Sequence, residues 1–114
     1  FLNLKNLKIL NLKGNNLEKI INQSFLFLES LEELDLSFNF INIIEENSFL
    51  SLKKLISLNL LNNTISNVDK STFNGLKKLQ ILGIAFRHGF NIYPSLFDNI
   101  KNLEELILDI NVLN

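Results

Sequence analysis

The 114-residue chain has no cysteine, no methionine and no tryptophan, and only one proline, one histidine and one alanine. Without cysteine there is no disulfide framework and no thiolate metal site. A single histidine with no cysteine beside it leaves a zinc site without enough ligands. One proline and four glycines are too few for a Pro/Gly-rich linker or a glycine-rich phosphate loop. No apolar run approaches the ~18 residues of a membrane span, so no membrane contact is expected of this segment. No signal peptide is visible at the N-terminus. The net charge of −1 carries no basic excess, and no nucleic-acid partner is expected from it. No cofactor and no metal are expected either. What is present is leucine, isoleucine, asparagine, lysine and phenylalanine. Hydrophobic residues make up 46% of the chain, enough for a packed core, and charged residues 20%, which argues against disorder.

These residues recur with a period of 24. Leu7, Leu31, Leu55, Leu79 and Leu103 open the pattern. Leu10, Leu34, Leu58, Leu82 and Leu106 follow three residues on, then Leu12, Leu36, Leu60, Ile84 and Leu108. A polar column runs Asn15, Asn39, Asn63, Arg87, Asn111, and an aromatic one Phe1, Phe25, Phe49, Phe73, Phe97. Each LxL alternates with period two and predicts a short strand with its leucines on one side. One such strand cannot bury its leucines alone. Stacking repeat on repeat builds a parallel sheet and a continuous core. An asparagine amide both donates and accepts, so stacked asparagines can satisfy the backbone of the turn after the strand. The phenylalanines fill the return path opposite the sheet. That path is read as turns with at most one helical turn, because Asn and Ser are frequent in it.

The pattern LxxLxLxxNxLxxIxxxxFxxLxx resembles the leucine-rich repeat family over the whole chain. The 24-residue length and its Phe resemble the extracellular animal class, and LEELDLSFNFI resembles Toll-like receptor ectodomains. The resemblance implies an α/β leucine-rich-repeat solenoid: a curved right-handed coil with short parallel strands on the concave face and irregular turns on the convex face. The predicted organisation is a single array of repeats 7–30, 31–54, 55–78 and 79–102, with partial repeats 1–6 and 103–114. Both ends fall inside repeats and lack polar caps, so the chain is expected to be an internal fragment whose exposed ends self-associate.

Residues between the leucines are expected to face outward on the concave side. Phe38, Leu61, Phe86 and Ile110 would form an apolar stripe beside acidic Glu33 and Asp35, with Asn59 and Ile81 on the same face. A stripe of that kind suits a protein ligand or partner receptor. The pattern breaks at IAFRHGFNIYPSLF, where Arg87 replaces the asparagine and Gly89 the next leucine. Residues 86–94 are expected to bulge, exposing Arg87, His88 and Tyr93, with Phe90 filling the slot that Gly89 vacates. Asn22 and Asn62 head glycosylation sequons, though two sequons are near chance among 19 asparagines. Asn22 would lie on the outer side and Asn62 at the edge of the concave face.

No catalytic constellation emerges. His88 would need a Ser-His-Asp site built in an irregular loop. Glu32-Glu33 and Glu104-Glu105 occupy matching repeat positions roughly 14 Å apart, as repeat inheritance explains. The chain is therefore read as non-catalytic: part of the ectodomain of a Toll-like or related innate-immune receptor, an extracellular glycoprotein module. The rival readings are a secreted or cytoplasmic leucine-rich-repeat scaffold, and an enzyme's substrate-binding array with catalysis elsewhere.

Overall fold

Alternation places both leucines of each LxL on one side of an extended segment, and the computed structural model, which describes residues 4–110, stacks those segments in parallel. Seven strands occur in chain order: β1 (Ile9–Asn11), β2 (Lys19–Ile20), β3 (Glu33–Asp35), β4 (Ile43–Ile44), β5 (Ser57–Ile65), β6 (Ile81–Phe86) and β7 (Glu105–Ile110). The main sheet runs β1-β3-β5-β6-β7, and β2 pairs with β4 in a second, two-stranded sheet after the turn. Register keeps the 24-residue period: Leu10 pairs with Leu34, Leu34 with Leu58, Leu58 with Leu82 and Leu82 with Leu106. The rungs repeat as well. The N–H groups of Glu32, Ile56, Gln80 and Glu104 donate to the carbonyls of Lys8, Glu32, Ile56 and Gln80 at 2.8–2.9 Å.

The core lies between this sheet and the return path. Leu34, Leu36, Leu58, Leu60, Leu82 and Ile84 meet Leu28, Leu52, Leu76 and Ile100 there, all buried. The Phe column forms its far wall. Phe25 stacks on Phe49 with ring centroids 6.0 Å apart, and Phe73 on Phe97 at 6.5 Å. Phe25, Phe49 and Phe73 are buried, each removing roughly 150–250 Å² from water. The return path contains two 3-10 helices, Lys70–Phe73 and Pro94–Phe97, and the described residues contain no α-helix. Asp69 caps the first: its carboxylate accepts the Ser71 N–H at 2.8 Å, and the Thr72 hydroxyl accepts the Asp69 N–H at 3.0 Å. Ser48, one repeat earlier, is buried and donates its hydroxyl to the Glu45 carbonyl at 2.7 Å. Gly75 (φ +93°) sits where two return paths nearly touch; a Cβ there would lie 2.4 Å from the Leu50 carbonyl oxygen.

The asparagine column works as a backbone clamp. Asn39 Oδ1 accepts the N–H groups of Asn15 and Leu17 at 2.8 and 3.0 Å. Its Nδ2 donates to the carbonyls of Leu12, Leu36 and Ser37 at 3.0–3.1 Å. Asn63 repeats this one turn on: Oδ1 accepts the Ile41 N–H at 2.9 Å, and Nδ2 donates to the Leu36, Leu60 and Leu61 carbonyls. The amide thus ties each turn to the preceding repeat.

At the fourth repeat the clamp stops, because Arg87 has no acceptor. Ile65 then pairs with Phe86, and the Arg87 N–H donates to the Ile65 carbonyl at 2.9 Å. β5 consequently extends to nine residues, longer than the short strand predicted. Phe86 needs a correction. It is fully buried, and its ring stacks on Phe90 with centroids 4.8 Å apart. Phe90 is half-buried against the core, but the space beside Gly89, which Phe90 was expected to fill, is open: a Cβ there would meet nothing within 4 Å. The departure from the repeat has therefore begun by Phe86, which lacks the left-handed backbone of Gly14, Phe38 and Asn62.

Candidate functional site

Three surfaces surround this core. On the strand face, Ile9, Glu33, Glu105, Ile107 and Asp109 are exposed, while Asp35, Ser57, Asn59 and Ile81 are half-buried. The Asp35 carboxylate is turned onto its own chain, accepting the Ser37 N–H at 2.9 Å and the Ser37 hydroxyl at 2.6 Å. Asn59 Oδ1 likewise accepts the Leu61 N–H at 3.0 Å. Leu61 is half-buried and lies over Gly83, where an added Cβ would stand 3.0 Å from Leu61 Cγ. Ile110 belongs to β7, but its side chain falls outside the described residues. The expected apolar stripe is thus not continuous. Of its four members Phe38 is exposed, Leu61 half-buried and Phe86 buried. The reason is local: β6 stays extended through Phe86, which turns the ring inward, and Gly83 makes room for Leu61 to lie down.

The second surface is the edge reached just after each strand core, residues 13–16, 37–40, 61–64 and 85–88. Backbone bonds stack the first three segments: Gly14 N–H donates to the Ser37 carbonyl and Phe38 N–H to the Leu61 carbonyl, both at 3.1 Å. The fourth shifts register and meets the third at its end, where the Arg87 N–H donates to the Ile65 carbonyl at 2.9 Å. Gly14, Phe38 and Asn62 share one repeat position and one conformation, with φ of +72°, +56° and +56°. Glycine and asparagine tolerate the left-handed region; a phenylalanine there is an outlier. The Phe38 ring is 54% exposed, and the Lys13 ammonium lies 5.0 Å from its centroid. Phe40 beside it is 64% exposed. Arg87 and His88 are exposed further along the same edge. Asn62 and Thr64 of one sequon also lie exposed here.

The third surface is the return side. Tyr93 is exposed beside an open groove of about 440 Å³ lined by Val68, Asp69, Lys70, Phe90 and Leu96 among others. Arg87, His88 and Tyr93 are therefore all exposed, but on two different surfaces. Asn22 is exposed on this return side, with its N–H donating to Glu45 Oε1 at 3.0 Å. Asn47, Asn74 and Asn99 form a second amide ladder: Asn74 Nδ2 donates to Asn47 Oδ1 at 2.9 Å and Asn99 Nδ2 to Asn74 Oδ1 at 2.7 Å. Sequence reading missed this ladder, because its spacings of 27 and 25 residues depart from the period (74 − 47 and 99 − 74). Among the described residues no three His, Cys, Asp or Glu side chains gather as a metal site would require.

A family model described as "Leucine rich repeat" matches residues 1–41 and 30–88 of the chain. No curated protein matches. Among solved structures, a crystal structure of a TLR13–ssRNA13 complex superposes with a TM-score of 0.86 at 34% sequence identity. The match covers 95% of this chain and 16% of that one, so the chain spans about a sixth of the solved protein's length. The solved structure is a complex with single-stranded RNA, and this overturns the exclusion of nucleic acid drawn above from net charge. Net charge sums over every face of an elongated solenoid. It says nothing of one edge, and the segments 13–16, 37–40, 61–64 and 85–88 contain Lys13 and Arg87 and no carboxylate.

Proposed function

The chain belongs to the leucine-rich repeat family, and on that premise we propose that it is a non-catalytic recognition segment of a Toll-like receptor ectodomain. The observation that carries this reading is the likeness to the TLR13 structure, 34% identical over 95% of the chain. The mechanism proposed is presentation. The repeat stack holds the strand face and its edges at fixed spacing, so a ligand meets side chains that are already placed. The first ligand class to try is single-stranded RNA, because that is what the similar solved protein holds. The proposed setting is extracellular or endosomal, where a receptor of this family would meet such a ligand. No helix among the described residues is long and apolar enough to cross a membrane.

Two measurements test this. Saturable binding of mixed-sequence single-stranded RNA, with weaker binding of the matching duplex, supports the recognition reading; no binding to RNA contradicts the ligand class. A mobility shift on glycosidase treatment of the protein from its own cells supports the extracytoplasmic setting. An unglycosylated protein in the cytosolic fraction contradicts it.

A further inference from the structure

We propose that the edge formed by Lys13, Phe38, Phe40, Arg87 and His88 is the surface on which single-stranded RNA lies, its bases stacked on the two phenylalanines and its phosphates on the two cations. This rests on the recognition reading above and assigns it a place. Three observations converge on it.

The first is charge. The sixteen positions of the four edge segments hold two full positive charges and no carboxylate, whereas the outward strand positions hold Glu33, Asp35, Glu105 and Asp109. The two surfaces adjoin along the same strands, so a polyanion is repelled from one and drawn to the other. The second is strain. Phe38 keeps a left-handed backbone at which its repeat partners are Gly14 and Asn62. Its ring recovers little by packing, being 54% exposed under one ammonium group. The stacked turns impose this backbone, but nothing in them requires a large ring there, and an exposed ring kept at a strained position points to a use outside the fold. The third is spacing. Lys13 and Arg87 are three repeats apart, roughly 14 Å along the stack, with both rings between them. Cations flanking exposed ring faces are what a single strand needs: the groove tracks its backbone while aromatics take the bases without regard to sequence. When RNA arrives, a base replaces the Lys13 ammonium over the Phe38 ring, and the ammonium is free to meet a phosphate.

The test is fluorescence anisotropy of a labelled mixed-sequence single-stranded RNA with the full chain and its Phe38→Gly, Phe40→Ser, Arg87→Gln and Glu105→Gln variants. Phe38→Gly removes the ring and relieves the backbone at once, so lost binding cannot be blamed on lost folding; a thermal melt by circular dichroism verifies this. Each aromatic change is expected to weaken binding by about 5- to 150-fold, the range for one stacked base. Arg87→Gln should lower the slope of log affinity on log salt by about 0.7, the value for one phosphate contact on a single strand. Glu105→Gln, which removes a negative charge from the adjoining strand face, should not weaken binding. If the wild type binds RNA and both aromatic variants bind equally well, the edge assignment is overturned while RNA recognition stands. If the wild type binds no RNA, both fall. If the aromatic variants instead abolish capture of a protein partner while RNA is ignored, the edge is a protein contact and the proposal is overturned.

Discussion

Replacing Asn39 by leucine keeps the volume of the side chain and removes all five of its hydrogen bonds. Their partners do not suffer equally. The Leu36 carbonyl keeps a second donor, Asn63 Nδ2 at 3.1 Å, and the Ser37 carbonyl keeps the Gly14 N–H at 3.1 Å. The Asn15 N–H belongs to an exposed residue that water reaches. The half-buried Leu17 N–H and the Leu12 carbonyl are the two groups for which the amide is the partner in the turn. Each buried polar group left unmet costs about 1–3 kcal/mol, which for these two, with a small share for Asn15, puts the loss near 3 kcal/mol. Asn15→Leu is the internal control. Its side chain makes one exposed bond, to the Lys13 carbonyl at 3.3 Å, and a surface change of that kind stays within about 0.5 kcal/mol. Urea unfolding followed by far-ultraviolet circular dichroism separates the two. With a slope of about 1–3 kcal/mol/M, Asn39→Leu should lower the midpoint by roughly 1–3 M, and Asn15→Leu should barely move it. Equal midpoints for the two variants would refute the clamp as the source of stability in these turns.

Three further outcomes follow from the packing. Gly75→Ala places a Cβ 2.4 Å from the Leu50 carbonyl oxygen at φ +93°, and because the obstacle is backbone, a loss of about 2 kcal/mol or more is expected in the same unfolding assay; a neutral change would mean the two return paths can part. Phe49→Ala empties a fully buried site stacked on Phe25 and should cost about 3–5 kcal/mol by urea melt, against which a loss under 1 kcal/mol would show that the aromatic wall is not structural. Phe38→Gly exchanges about 1–2 kcal/mol of left-handed strain for glycine entropy of about 0.5–1 kcal/mol and a lost cation–π contact of similar size. Its stability should therefore remain within about 1 kcal/mol of wild type, and a clear drop in melting temperature would mean the ring supports the fold.

Most of the fold could be read from residues 7–82, because the period of 24 carries its own physics. Leucines at LxL positions must face one way, and the parallel register of Leu10, Leu34, Leu58 and Leu82 follows from stacking identical units. The roles of Asn39 and Asn63 were legible for the same reason: few side chains both donate and accept at a turn. Phe86 was not. Its sequence position matches Phe38, but where Arg87 replaces the neighbouring asparagine the chain pairs with Ile65 and stays extended, which turns one ring inward and leaves the other outward. Alternation carries Phe86 to the same inward side as Leu82 and Ile84; what could not be read was that this strand continues through Phe86 instead of turning as at Phe38. The edge was legible as separate residues, Lys13, Phe38, Arg87 and His88, but their common surface was not. They lie in three different repeats at four different offsets, and only the stacking of repeats brings them together. The exclusion of nucleic acid failed on the same point, since a total charge hides how charge is divided between faces.

The most direct test of the account is photocrosslinking of single-stranded RNA carrying 4-thiouridine to the full chain, with the crosslinked peptides mapped by mass spectrometry. The account predicts adducts on the peptides that carry Phe38, Phe40, Arg87 and His88. Adducts confined to the strand face around Glu33 and Asn59, or to the return side around Asn22 and Tyr93, would contradict it.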